Sequence, residues 1–242
     1  MVETDAVDAG IERVLVVTAH PDDVDFAAAG SVARWTDAGI EVVYCLVTSG
    51  EAGGSDRSIS RADMAELRRR EQTAAAKRVG VHELVFLGYA DGRVVASVEL
   101  RRDISRVIRR FRPDRVLSQS PERDLTRIYA SHPDHLATGA ATLDAVYPDA
   151  RNPFAHPELL DEGLEPWAVP EVYLMTITGG DVVVDITDSM DRKVEALLSH
   201  ESQIDDPDGR RDLLRQWAAS IARGAGLGDG RFAESFRRVD TA

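Results

Sequence analysis

The sequence predicts an α/β fold of three layers, with helices on both faces of a mostly parallel sheet and extra strands and helices late in the chain. Three observations carry this. Short β-branched apolar runs alternate with longer helical segments between residues 13 and 118. Those runs are apolar throughout, as strands buried on both faces are. The chain has 242 residues, 43% of them hydrophobic, enough for one such domain with a real core.

Arg13–Ala19 (RVLVVTA) is the first buried strand. Phe26–Ala38 is alanine-rich and helix-like, and Gly39 closes it as a C-cap. Glu41–Thr48 (EVVYCLVT) is the second strand, followed by the Gly/Ser-rich loop Ser49–Ser60. Arg61–Val79 is a long helix ending at Gly80. Leu84–Leu87 is a third, short strand that runs into the turn Gly88–Gly92. Val98–Phe111 is a helix stopped by Pro113, and Arg115–Ser118 is the fourth strand. This order implies right-handed βαβ units in a Rossmann-like arrangement. Leu136–Val146 is a further helix. Pro148–Pro170 holds five of the ten prolines and no clear periodicity, which reads as a lid, a binding loop or a connector. Glu171–Thr176 and Val182–Ile186 are late strands, and Asp188–His200 and Arg211–Ala222 late helices. The chain reads as one domain over 1–242, with 1–10 and 224–242 flexible or peripheral.

The net charge of −13 argues against nucleic acid and anionic lipid as partners. No run approaches the roughly 18 apolar residues that a membrane helix needs. The acidic start Met1–Gly10 lacks the pattern of a signal peptide, so the expectation is a cytoplasmic protein. The single cysteine, Cys45, lies in an apolar run and reads as a small core residue. A homo-oligomer remains open.

In parallel sheets, ligands bind beyond the carboxyl ends of the strands. Ala19-His20-Pro21-Asp22-Asp23 follows the first strand there, and Ser131-His132-Pro133-Asp134-His135 follows the fourth. Each cluster holds two polar residues three apart, which one helical turn brings to a common face. Helix capping by Asp22, Asp23, Asp25 or Asp134, with His-Pro as turn chemistry, is the plain alternative for either cluster alone. Two clusters of one design on the same edge favour a metal site. His20, Asp23 and His135 offer two nitrogens and one oxygen, the three protein ligands that a catalytic zinc uses beside an open position; Fe²⁺ suits the set as well. Asp22 is then the candidate general base. His132 is the candidate group for the oxyanion or the leaving amine, expected as an imidazolium favoured by Asp134.

With the paired motifs AHPDD (Ala19–Asp23) and HPDH (His132–His135), the chain resembles the LmbE-like, or PIG-L, zinc de-N-acetylases. Thr48–Gly53, Arg68–Glu71, Phe86–Gly92, Lys193, His200–Gln203 and Ala233–Phe236 match as well, so the resemblance covers most of the chain. It implies zinc on His20, Asp23 and His135, Asp22 as general base, and His132 as electrophilic or acid group. It also implies that Arg68 and Asp91 bind sugar hydroxyls. Where the family commonly has Glu, this chain has Asp25. The implied activity is removal of an acetyl group from a small N-acetylated amino sugar. Alternatives are an amidase of a larger thiol-sugar conjugate and a non-catalytic nucleotide- or sugar-binding module. The Gly50–Gly54 loop lacks the Lys-Ser/Thr of a phosphate cradle. His200 reads as a structural histidine. Trp167 reads as a packing residue, or one lining a sugar site.

Overall fold

A computed structural model describes residues 8–126, 128, 131–176 and 180–241. Residues 1–7 and 242 of the expected peripheral ends, and 127, 129 and 130 of the loop before the second motif, lie outside the described residues. Seven strands form one sheet in the order β3-β2-β1-β4-β5-β7-β6. They are β1 (Arg13–Thr18), β2 (Glu41–Thr48), β3 (Glu83–Tyr89), β4 (Arg115–Gln119), β5 (Glu171–Met175), β6 (Val182–Asp185) and β7 (Ala233–Asp240). β1 to β5 are parallel, and β7 runs antiparallel to β5 and β6. The helices are α1 (Asp23–Ala27), α2 (Ala29–Asp37), α3 (Arg61–Arg78), α4 (Val98–Phe111), α5 (Pro133–Asp144), α6 (Glu158–Asp161), α7 (Met190–Leu198) and α8 (Pro207–Gly224).

β1 is the spine because its apolar residues serve both faces, as the two-residue repeat of a strand dictates. Val14 and Val16 join Val32, Val194 and Leu197 on one side, and Leu15 and Val17 join Leu100, Ile104 and Ile108 on the other. Its neighbours are β2 on one side and β4 on the other, so the strand order reverses at β1/β4. That reversal opens the crevice in which such sheets hold ligands.

Three expectations change. The helix expected over Phe26–Ala38 starts earlier, at Asp23, and breaks at Ala28, where φ is −143°. The break exposes the amides of Gly30 and Ser31 to the Glu234 carboxylate, which accepts from both at 3.1 and 2.7 Å. Glu234 also pairs with the buried Lys193 at 2.6 Å. The tail is therefore not peripheral over 233–240: β7 lies between β5 and β6, and Phe236 is fully buried. The proline-rich connection is also not a lid. Buried Arg109 donates to the carbonyls of Asp149, Ala150, Asn152 and Ala155, and Arg101 forks onto the Asp149 carboxylate at 2.7 and 2.9 Å. The Trp167 indole donates to Pro113 O at 2.8 Å, beside the amino end of β4. The connection thus packs on the edge opposite the two motifs.

Candidate active site

The carboxyl ends of three strands are tied together where the motifs leave the sheet. Ala19 O accepts from Thr48 N and Thr48 Oγ1, each at 2.9 Å, and Ala19 N donates to Gln119 Oε1 at 3.0 Å. α5 lies close against this edge, since a Cβ on Gly139 would collide with Gln119 O. The two motifs, more than a hundred residues apart in sequence, thereby meet.

His20, Asp23 and His135 converge. His20 Nδ1 lies 3.2 Å from His135 Nε2 and 3.4 Å from an Asp23 oxygen, and the other Asp23 oxygen lies 2.9 Å from His135 Nε2. Asp23 also accepts from the His20 backbone N–H at 2.7 Å, which fixes the carboxylate. Burial opposes its ionisation, yet His135 and then His20 hold its carboxyl well below the usual range. The donor atoms of His20, His132 and His135 also lie within 4.8 Å of one another.

The other face of His20 meets two carboxylates. His20 Nε2 lies 3.1 Å from Asp91 Oδ1 and 3.3 Å from Asp134 Oδ2. Both acids are already engaged by backbone amides: Asp91 by Ala52 N at 2.8 Å, Asp134 by Gly92 N at 2.7 Å and Val94 N at 3.2 Å. His20, Asp91 and Asp134 also form a compact group that could hold a cation. The arrangement matches a ligating histidine whose second nitrogen donates to carboxylates, which fixes its tautomer and raises its basicity. Nδ1 is then the nitrogen left for a metal, on the side of Asp23 and His135. Burial pulls the His20 pKa down, but Asp23 and then Asp91 overcome it and push the imidazole up to about 11. The pocket thus demands positive charge, and a divalent ion held by two imidazoles and a carboxylate fits that demand.

Asp91 and Arg68, expected to bind sugar hydroxyls, are tied into hydrogen bonds of the protein itself. Asp91 lies behind His20 with its oxygens occupied. Arg68 is only 4% exposed. Its guanidinium donates to Pro21 O at 2.6 Å, Gly50 O at 3.0 Å and Asp22 Oδ2 at 2.9 Å. A Cβ on Gly50, where φ is +68°, would collide with that guanidinium. The glycine loop is a seat for Arg68, and Arg68 is a brace for the first motif.

Asp22 takes the left-handed conformation at φ +85° as the N-cap position of α1. Burial, partly offset by Arg68, raises its carboxyl to about 6. His132 caps α5: its Nδ1 accepts from Asp134 N at 3.2 Å. A nitrogen that accepts a backbone N–H carries no proton, so the ring is neutral with its proton on Nε2. Burial, then repulsion by His20 and His135, lowers its pKa. The imidazolium paired with Asp134 is therefore not what forms, because the Asp134 carboxylate faces His20 instead. Reading by sequence also missed Gln72, whose one signal is its place four residues after Arg68 on the same helix face.

Fold and site together define a Rossmann-like α/β protein with a His/Asp cluster that could hold a cation at the switch point of its sheet. The family model "PIG-L: GlcNAc-PI de-N-acetylase" matches residues 15–146, and the chain belongs to this family. It is 33% identical to the diacetylchitobiose deacetylase of Thermococcus kodakarensis, over 95% of this chain and 84% of that protein. It is 31% identical to the "Probable N-acetyl-alpha-D-glucosaminyl L-malate deacetylase 2" of Bacillus cereus, over 79% and 83%. The structure of N,N'-diacetylchitobiose deacetylase from Pyrococcus horikoshii superposes with a TM-score of 0.90 at 30% identity, covering 99% of this chain and 88% of that one. Among the described residues, no helix is long and apolar enough to cross a membrane.

Proposed function

We propose that this protein is a metal-dependent hydrolase that removes the acetyl group from an N-acetylated amino sugar. The convergence of His20 Nδ1, Asp23 and His135 Nε2 beside Asp22 carries the reading, and the deacetylase relatives support it. His20, Asp23 and His135 would hold the ion, with zinc the metal that best suits two nitrogens and one carboxylate. Bound there, the ion supplies Lewis acidity that polarises an amide carbonyl and makes water more acidic.

The chain's own groups do the rest. Asp91 and Asp134 hold His20 with its proton on Nε2 and Nδ1 forward. Asp22, with its carboxyl near 6, is ionised at neutral pH and takes the proton of the attacking water as a new C–O bond forms at the amide carbon. As the C–N bond breaks, Asp22 returns that proton to the leaving nitrogen, giving acetic acid, which then ionises, and the free amine. His132 acts through Nε2–H as a neutral donor to the carbonyl oxygen while negative charge grows on it.

Incubation with N,N'-diacetylchitobiose and N-acetylglucosamine, scored for released amine, tests this. Release is expected from the parent, and Asp22→Asn should lose about 10²–10⁴-fold in turnover while keeping its metal. Metal analysis should find zinc. Protein loaded with one equivalent of metal that frees no amine from either sugar would refute the reading.

A further inference from the structure

Behind Asp22 lies a buried polar chain that does not touch the cation cluster. The Asp22 backbone N–H donates to Gln72 Oε1 at 2.9 Å. Gln72 Nε2 donates to Asp25 Oδ2 at 3.0 Å, and His200 Nε2 donates to the same oxygen at 2.8 Å. Gln72, Asp25 and His200 are each fully buried. The orientation of the Gln72 amide is dictated from both ends. Reversed, it would set its oxygen against a carboxylate and its NH₂ against an N–H.

Asp22 needs holding. Outside glycine, a left-handed residue is strained and persists only where its surroundings over-determine it. Its carbonyl is engaged by Asp25 N at 2.9 Å and Phe26 N at 3.0 Å, and its carboxylate by Arg68. The N–H is the remaining anchor, and among the described residues Gln72 supplies its partner. Arg68 and Gln72, four apart on α3, thus grip the side chain and the backbone of one residue from one helix face.

We propose that Gln72, locked by Asp25 and His200, is a positioning residue that sets the aim of the Asp22 carboxylate. The proposal rests on the reading of Asp22 as the general base. Because Gln72 acts through Asp22, its removal should matter only where the base is present. The test is a cycle of four proteins: parent, Asp22→Asn, Gln72→Met and the double variant, assayed on N,N'-diacetylchitobiose after confirmation of equal metal content. Gln72→Met keeps length and removes both hydrogen bonds. It should lower kcat about 10- to 100-fold with KM unchanged, the scale of a displaced catalytic group. In the Asp22→Asn background the same substitution should leave the residual rate unchanged.

A loss of equal factor in both backgrounds, or no loss in the parent, overturns the proposal. If Asp22→Asn itself keeps parental turnover, the base assignment has failed and the proposal falls with it, an outcome distinct from the other two. Should Gln72→Met not fold, His200 substitutes. His200→Leu should lower kcat only where Asp22 is intact, and His200→Gln, which still offers an N–H to Asp25, should restore it. Equal losses in the Leu and Gln variants overturn the proposal.

Discussion

Removal of the Arg68 cation should move the acid limb of the pH–rate profile upward. Arg68 Nη2 lies 2.9 Å from Asp22 Oδ2, both groups out of bulk water. At an effective dielectric of about 20, two unit charges at that distance interact by about 6 kcal/mol, a ceiling on the effect. Carboxylates beside an arginine are typically lowered by about 1–3 pH units. In the parent, burial outweighs this pull and leaves Asp22 at about 6. Arg68→Met deletes the pull and keeps the burial. The carboxyl then holds its proton to higher pH, the base is absent over a wider acid range, and the limb of kcat/KM should rise by about 1–3 units. A bound ion lowers both profiles together and leaves their difference. Arg68→Lys keeps the charge and should shift the limb much less, although one ammonium cannot serve Pro21 O, Gly50 O and Asp22 at once. The methionine variant also strands the two carbonyls, at about 1–3 kcal/mol each, so profiles belong well below its unfolding temperature. Coincident acid limbs for the parent and a folded, metal-loaded Arg68→Met would show that Asp22 is not the titrating base.

Alanine at His20, Asp23 or His135 should abolish binding of one divalent ion per chain by elemental analysis. Asp91→Asn or Asp134→Asn should retain binding but weaken it about 10- to 100-fold in competition with a chelator. Lys193→Met leaves Glu234 buried and unpaired, and should cost about 3–5 kcal/mol in denaturant unfolding, with partial recovery in Lys193→Met/Glu234→Gln. The Asp149 carboxyl is buried, which opposes ionisation, yet Arg101 and then His156 hold it below its usual value. Its contribution to stability is therefore present above the unfolded value of 3.8 and is lost as pH falls through the lower folded one. The stability gap between parent and Asp149→Asn should accordingly be widest at neutral pH and close in strong acid.

What the sequence discloses follows from the range of the interactions involved. β1 and β2 were legible because strands buried on both faces are apolar along their whole length, and only Arg13 and Glu41 escape burial. The strand Ala233–Asp240 was not, because half its residues are charged and their partners are remote: Glu234 with Lys193, Arg237 with Glu122, Arg238 with Glu171. No local pattern encodes such pairings. The meeting of His20, Asp23 and His135 was legible because two short motifs carry these side chains, one beyond each of two neighbouring strands. Its supports were not. For Asp91 and Arg68 the family resemblance implied contacts to sugar hydroxyls, and no local pattern carries the partners that hold them.

The partners give both residues a supporting part, and they do so by one physical rule. A buried polar atom costs free energy unless a hydrogen bond satisfies it. The Arg68 guanidinium meets two carbonyls and a carboxylate, while Asp91 meets an amide and an imidazole. Of the Arg68 nitrogens only Nε lacks a partner among the described residues. The side chains named by the motifs are ringed by residues whose polar groups are spent on holding them. Exposed apolar side chains lie nearby in sequence: Val95 next to Val94, whose amide serves Asp134, and Leu125 and Ile128 shortly before Ser131. Bracing of this kind fixes the aim of the side chains the motifs name, because a buried polar group that loses its partner costs about 1–3 kcal/mol.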